Sequence, residues 1–170
     1  MATGSVRVLR RAAIAALLLF VAFGGLSATA TGLAVADEVS ATGRTTVTIA
    51  SKGTNHTFDV ELATSEETRS RGLMFRTSMG ADQGMLFLYR EPRPIAMWMK
   101  NTFIPLDIVF FSTDGAILNV QANAEPHSLV SRPSLGDAIG ALEINGGRAA
   151  ELGIAAGDTI LLPKVDGVEP

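Results

Sequence analysis

Between Thr45 and Leu162 the apolar residues come in short runs, each closed by a turn cluster, and that rhythm narrows the fold more than any other feature of the chain. Phe58, Val60 and Leu62 alternate with Asp59, Glu61 and Ala63, the period of a strand with one wet face. Thr45 to Ala50 precedes them, and Ser51 to Asn55 between the two runs is rich in turn residues, so the pair reads as a hairpin. Further strands are expected at Met85 to Tyr89, Ile95 to Lys100, Asp107 to Phe111, Ala116 to Ala122, Ala138 to Ile144 and Asp158 to Leu162. A Thr113, Asp114, Gly115 turn joins two of these. Two short helices complete the reading. One opens at Thr64, with Glu67 placed for a reciprocal capping box and Gly72 as its stop. The other runs from Gly146 to Leu152 and closes at Gly153.

About eight short strands without long intervening helices predict a mainly β fold, a compact sandwich or barrel. No internal repeat is present, which argues against a solenoid or propeller. The longest irregular connection is Glu125 to Gly136, a length more often found in functional loops.

The start of the chain differs in kind. Arg7, Arg10 and Arg11 precede an apolar run of 12 residues, Ala12 to Phe23, and small residues follow. That three-part layout is a secretory signal peptide, residues 1–36, with cleavage expected after Ala36 or, alternatively, Ala30. A membrane span needs roughly 20 apolar residues, and Gly24 and Gly25 end this run early. The exported protein, periplasmic or extracellular, then comprises a leader over 37–44, one domain over 45–163 and a tail over 164–170. Arg10 and Arg11 leave both the general and the twin-arginine export routes open.

Charge narrows the partners. Of the 14 basic residues three lie in the first 36, which hold none of the 17 acidic ones, leaving 11 against 17 and a formal charge of −6. Nucleic acid binding, which relies on Lys and Arg neutralising phosphates, is therefore not expected. Cysteine is absent, so an exported domain of this kind depends on its apolar core for stability.

Candidate chemistry centres on Met97 to Ile108. In the strand expected there, Ile95, Met97 and Met99 share one face while Ala96, Trp98 and Lys100 share the other. Trp98, Lys100, Asn101, Thr102 and Asp107 together can form a polar rim beside an aromatic platform, suited to a small anionic or sugar-like ligand or else to a partner protein. The same residues also suit a purely structural role, with Asn101 and Thr102 holding a turn and Lys100 paired to Asp107 or Glu143. Arg71 and Arg76 are candidate anion clamps, or else partners of acids such as Glu66 and Glu143. Glu143 stands in the apolar run AIGALEI, where a carboxylate is costly unless paired. With Asp107 it offers an acid/base couple for hydrolysis of a glycosidic bond, the enzymatic alternative to a binding domain. A structural envelope module is the third reading.

No metal or cofactor is indicated. Met74, Met79, Met85, Met97 and Met99 have the soft sulfur that Cu(I) prefers, yet core filling is the ordinary use of Met. His56 and His127 are isolated, and neither a nucleophile elbow nor a phosphate-binding glycine loop is present. Gly146 and Gly147 before a helix could bind an anion at its N-terminus but read better as a plain turn.

The segments RGLMFR (71–76), GMLF (84–87), WMKNTFIPLDIVF (98–110), ALE (141–143) and LGIAAGD (152–158) resemble, in order, the uncharacterised ACR family of bacteria and archaea. The resemblance runs from about Val47 to Leu161 and implies a compact, mainly β fold with no established activity. Ala96 and Met97 stand before the Trp where that family often has an aromatic, and Gly146 and Gly147 where it often has Ala and Gly.

Overall fold

The computed structural model describes residues 43–163; the expected signal peptide over 1–36, most of the expected leader over 37–44 and the expected tail over 164–170 lie outside the described residues. Nine strands and two helices follow in the order β1 (Arg44–Ser51), β2 (Thr54–Ala63), α1 (Glu66–Arg71), β3 (Gln83–Arg93), β4 (Ala96–Met97), β5 (Leu106–Phe111), β6 (Ile117–Ala124), β7 (Arg132–Pro133), β8 (Ala138–Asn145), α2 (Arg148–Leu152) and β9 (Thr159–Leu161). Seven of the strands form one sheet in the order β6-β5-β8-β3-β2-β1-β9, and β4 pairs with β7 apart from it. The sheet curls into a half-barrel. Its two edges meet at an Ala116–Thr159 bridge, where Ile117 N–H donates to Asp158 O at 2.8 Å.

Side-chain alternation sorts the core into two layers. Val47, Ile49, Phe58, Val60, Leu86, Val109, Phe111, Leu142 and Ile144 fill the concave side, with Ala149 and Ile154 from around α2 packed against them. On the other side of the central strands, Met85, Phe87, Leu106, Ile108, Phe110 and Ala141 are covered by Leu73, Ile95 and Met99. Phe58, Phe87, Phe110 and Phe111 are fully buried, each contributing roughly 1.5–3 kcal/mol of apolar burial. Without cysteine, this two-sided burial of β3, β5 and β8 holds the domain.

One topological feature positions everything that follows. All pairings in the large sheet are antiparallel except β2 with β3, which run parallel with Ala63 beside Phe87. Parallel neighbours need a crossover, and residues 64–82 supply it. Helix α1 lies in that crossover and is thereby carried onto the outer face of the sheet, near β3.

The structure corrects three local expectations. The strand expected over Ile95 to Lys100 is reduced to Ala96–Met97, paired with Arg132–Pro133. The burial alternation is as expected: Ile95 and Met99 are buried and Trp98 and Lys100 exposed. The segment bonds to the 128–134 loop, through Met99 N–H to Ser128 O at 2.9 Å and Ser134 N–H to Ile95 O at 2.8 Å, and so lies over the sheet without joining it. The N-cap of α1 is Ser65, not Thr64: its hydroxyl accepts from Thr68 N–H at 3.1 Å and Thr68 Oγ1 accepts from Ser65 N–H at 3.0 Å. Thr68 thus fills the place expected for Glu67. Helix α2 begins at Arg148, because Gly146 and Gly147 form the turn before it. Among the described residues no helix is long and apolar enough to cross a membrane, and no three His, Cys, Asp or Glu residues gather as a metal set.

Candidate functional site

Where α1 rests on the outer face of β3 and β8, a cleft of about 430 Å³ opens between it and the Met97–Thr102 segment. Four chain regions wall it: Glu66, Arg69 and Arg71 from α1, Phe87, Tyr89 and Arg93 from β3, Trp98, Lys100 and Thr102 from the covering segment, and Glu143 from β8. Gly72 makes this approach possible. It ends α1 at φ 48°, where a side chain is strained, and a Cβ there would come to 3.2 Å from the Phe87 ring.

The cations differ in how firmly they are held. Arg69 Nη1 donates to Leu88 O at 3.0 Å and to Thr64 O, and its guanidinium lies 4.7 Å from the Tyr89 ring centre. Arg93 approaches the same ring at 4.5 Å, so Tyr89 carries two stacked cations. Lys100 Nζ lies 5.4 Å from the ring centre of Trp98, which is 53% exposed. Arg71 and Lys100 enter no ion pair among the described residues. Their charges are therefore available to a ligand.

Glu143 lies at the floor of the cleft. It is 4% exposed, flanked across the sheet by Met85 and Ile108, and burial alone pushes its carboxyl up to about 8. With burial favouring the neutral form of Glu143, the cleft gathers four basic side chains, Arg69, Arg71, Arg93 and Lys100, against one other acid, Glu66. In a chain with 17 acidic and 14 basic residues, that local excess of positive charge focuses anions.

Of the residues singled out from the sequence, Trp98, Lys100, Thr102, Arg71 and Glu143 line this one cleft, and Asn101, Asp107 and Arg76 do not. Asp107, fully buried, accepts from Asn123 N–H at 2.8 Å, Gly147 N–H at 3.0 Å and Ala149 N–H at 2.8 Å, which fixes the turn into α2. It pairs with neither Lys100 nor Glu143, so the acid/base couple drawn from these two carboxylates does not form. Arg76 reaches Glu61 at 2.8 Å, in a network that includes Arg44. Asn101 adopts φ 57° and its backbone carbonyl accepts from Phe75 N–H at 2.8 Å, which makes it a turn residue. Sequence alone does not point to Arg69, Tyr89 and Arg93, since nothing in their local pattern distinguishes them from an ordinary solvated face. Exposed Phe75 and Phe103, edge to face at 6.0 Å with His127 5.2 Å from Phe103, form a further surface aromatic group.

A model of the family described as Uncharacterized ACR matches residues 47–162. A crystal structure of a candidate transcription regulator from Sinorhizobium meliloti 1021 is similar at 41% identity and TM-score 0.67, covering 68% of this chain and 91% of that one. A protein of unknown function from Novosphingobium aromaticivorans DSM 12444 is similar at 42% identity and TM-score 0.69, over 70% of this chain and 85% of the other. No curated protein matches the chain significantly.

Proposed function

The chain belongs to the uncharacterised ACR family, and we propose that this member is an exported domain that binds a small anionic ligand in the cleft between α1 and the Met97–Thr102 segment. The observation that carries the reading is the gathering of Arg69, Arg71, Arg93 and Lys100, with the exposed Trp98 face, around a cavity of ligand size in an otherwise acidic chain. Arg71 and Lys100 meet the anionic group, Arg69 and Arg93 stiffen the wall through Tyr89, and Trp98 stacks on the ligand body. A concave site favours a small molecule over a flat protein partner. Export rests on the basic start at Arg7, Arg10 and Arg11 and the apolar run that follows. Transcription regulation, the role in the description of the Sinorhizobium protein, finds little support in the acidic balance of this chain.

A thermal-shift screen of sugars, sugar acids, hydroxy acids and phosphorylated metabolites tests the reading, run on the native protein and on Arg71→Ala, Lys100→Ala and Trp98→Ala. Ligands that bind the native state raise its midpoint as their concentration exceeds Kd. The reading requires shifts from anionic compounds that diminish in all three variants. Shifts from neutral sugars alone, or equal shifts in the variants, would reject it.

A further inference from the structure

Glu143 is the residue for which an anion-binding cleft has least obvious use. Its sheet neighbours across the strands, Met85 and Ile108, are apolar, and among the described residues it forms no ion pair. Burial with no compensating partner is what raises its carboxyl. No side chain among the described residues hydrogen-bonds the carboxyl, and its oxygens are not closed off from the cleft they line. The charged and titratable groups that share its cleft are Glu66, Arg69 and Arg71 of α1, Tyr89 and Arg93 of β3, and Lys100 of the covering segment. None satisfies it. Its open direction is the cleft itself, so the missing partner is something that enters there.

The two states of a carboxyl offer different chemistry. Ionised, it only accepts hydrogen bonds; protonated, it carries one O–H donor. Resting on the anion-binding reading above, we propose that Glu143 enters the complex protonated and donates its O–H to an uncharged oxygen of the ligand. The cleft then selects compounds with an anionic group for Arg71 and Lys100 and a hydroxyl, ether or carbonyl oxygen at the inner end. That is the pattern of an oxygen-rich organic acid, such as a sugar acid or a hydroxy acid. A simple inorganic anion satisfies only the outer half of the site, and a neutral sugar only the inner half.

Binding of this kind depends on pH through one group. Affinity is level while Glu143 is protonated, then falls about tenfold per pH unit above the carboxyl's value of about 8, as protonation must accompany binding. A ligand that instead offers a cation to the carboxylate gives the opposite slope.

The test measures Kd for D-glucuronate and D-glycerate from pH 6 to 9.5 on the native protein, Glu143→Gln, Glu143→Leu and Lys100→Ala, with circular dichroism to confirm each fold. The native protein should weaken above about pH 8 and take up a proton on binding at pH 8.5, read calorimetrically in buffers of different ionisation heat. Glu143→Gln keeps an N–H donor at every pH, so it should bind with a level profile. Glu143→Leu should bind at least tenfold more weakly at pH 7. A shared profile in the native protein and Glu143→Gln, or affinity that rises through pH 8, overturns the inference. Should binding disappear in Lys100→Ala while the Glu143 variants behave as native, the anion-binding reading stands and this inference alone falls. Absence of binding by both acids at every pH overturns both.

Discussion

Asp107 and Glu143 stand on adjacent strands and face opposite sides of the sheet: Asp107 lies opposite Ile144 of the concave core, and Glu143 opposite Ile108 of the outer one. Two acids that are interchangeable in composition thus have different work. Asp107 ties three backbone N–H groups around the turn into α2. Replacing it with Ala removes the acceptor of all three, one of them a fully buried bond, and should cost about 3 kcal/mol in a denaturant titration. Asp107→Asn keeps one acceptor oxygen and should cost less. A near-neutral Asp107→Ala would contradict the anchoring role.

Glu143 makes stability depend on pH. Its carboxyl titrates at about 8 when folded against an ordinary 4.5, so the native state holds a proton that the unfolded chain releases. Its contribution is fully present below pH 4.5 and is lost as pH rises to about 8, on the order of 4–5 kcal/mol over that window. Glu143→Gln should remove this slope and unfold at higher denaturant than the native protein at pH 8. Identical pH profiles for the two proteins would show that the carboxyl is not held neutral.

The entry to α1 separates two neighbouring hydroxyl residues. Ser65 caps the helix through Thr68, whereas Thr64 contributes no capping bond. Ser65→Ala should lower stability by about 1 kcal/mol, and Thr64→Ala by a few tenths at most. Because α1 carries Arg69 and Arg71 into the cleft, Ser65→Ala should also weaken anion binding. The reverse order of the two losses would restore Thr64 as the cap.

Gly140 lies where β8 crosses β3 and β5, and a Cβ there would strike Phe87 O and the Phe111 ring. Neither neighbour is free to move, since both phenylalanines are buried in the two core layers. Gly140→Ala should therefore destabilise by about 3 kcal/mol, measured by thermal or urea unfolding. Gly136→Ala, where a Cβ meets no atom within 4 Å but φ is 113°, should show backbone strain alone.

Much of this arrangement is legible in the amino-acid sequence, and the rest escapes it for one main reason. The alternation marks Phe58 and Val60, and Ile95 and Met99, as buried whether or not the backbone joins a sheet, while Leu62 and Met97 are half-buried and Ala63, expected on the wet face, is fully buried against the outer layer. Glu143 is conspicuous because its neighbours in AIGALEI are apolar. What local pattern lacks is the parallel pairing of β2 with β3, a relation between residues 59–63 and 83–87 that only tertiary structure sets. That pairing brings Arg69 and Arg71 against Tyr89 and Arg93, so half of the cleft wall escapes sequence reading. Asp107 escapes for the same reason: its three N–H donors come from residues 16, 40 and 42 positions away. The shift of the cap from Thr64 to Ser65 is a smaller matter, since adjacent hydroxyls fit the capping pattern equally and Thr68 substitutes for an acid.

The chain's single tryptophan, Trp98, stands on the wall of the cleft, so its fluorescence reports directly on anything that binds there. Titration of the native protein with D-glucuronate at pH 7, with D-glucose as the uncharged counterpart, is the most direct test of the anion-binding cleft. A saturable change in Trp98 emission with glucuronate, absent with glucose and lost in Arg71→Ala, is the predicted result. Emission unmoved by glucuronate, or moved equally in native protein and Arg71→Ala, would contradict it.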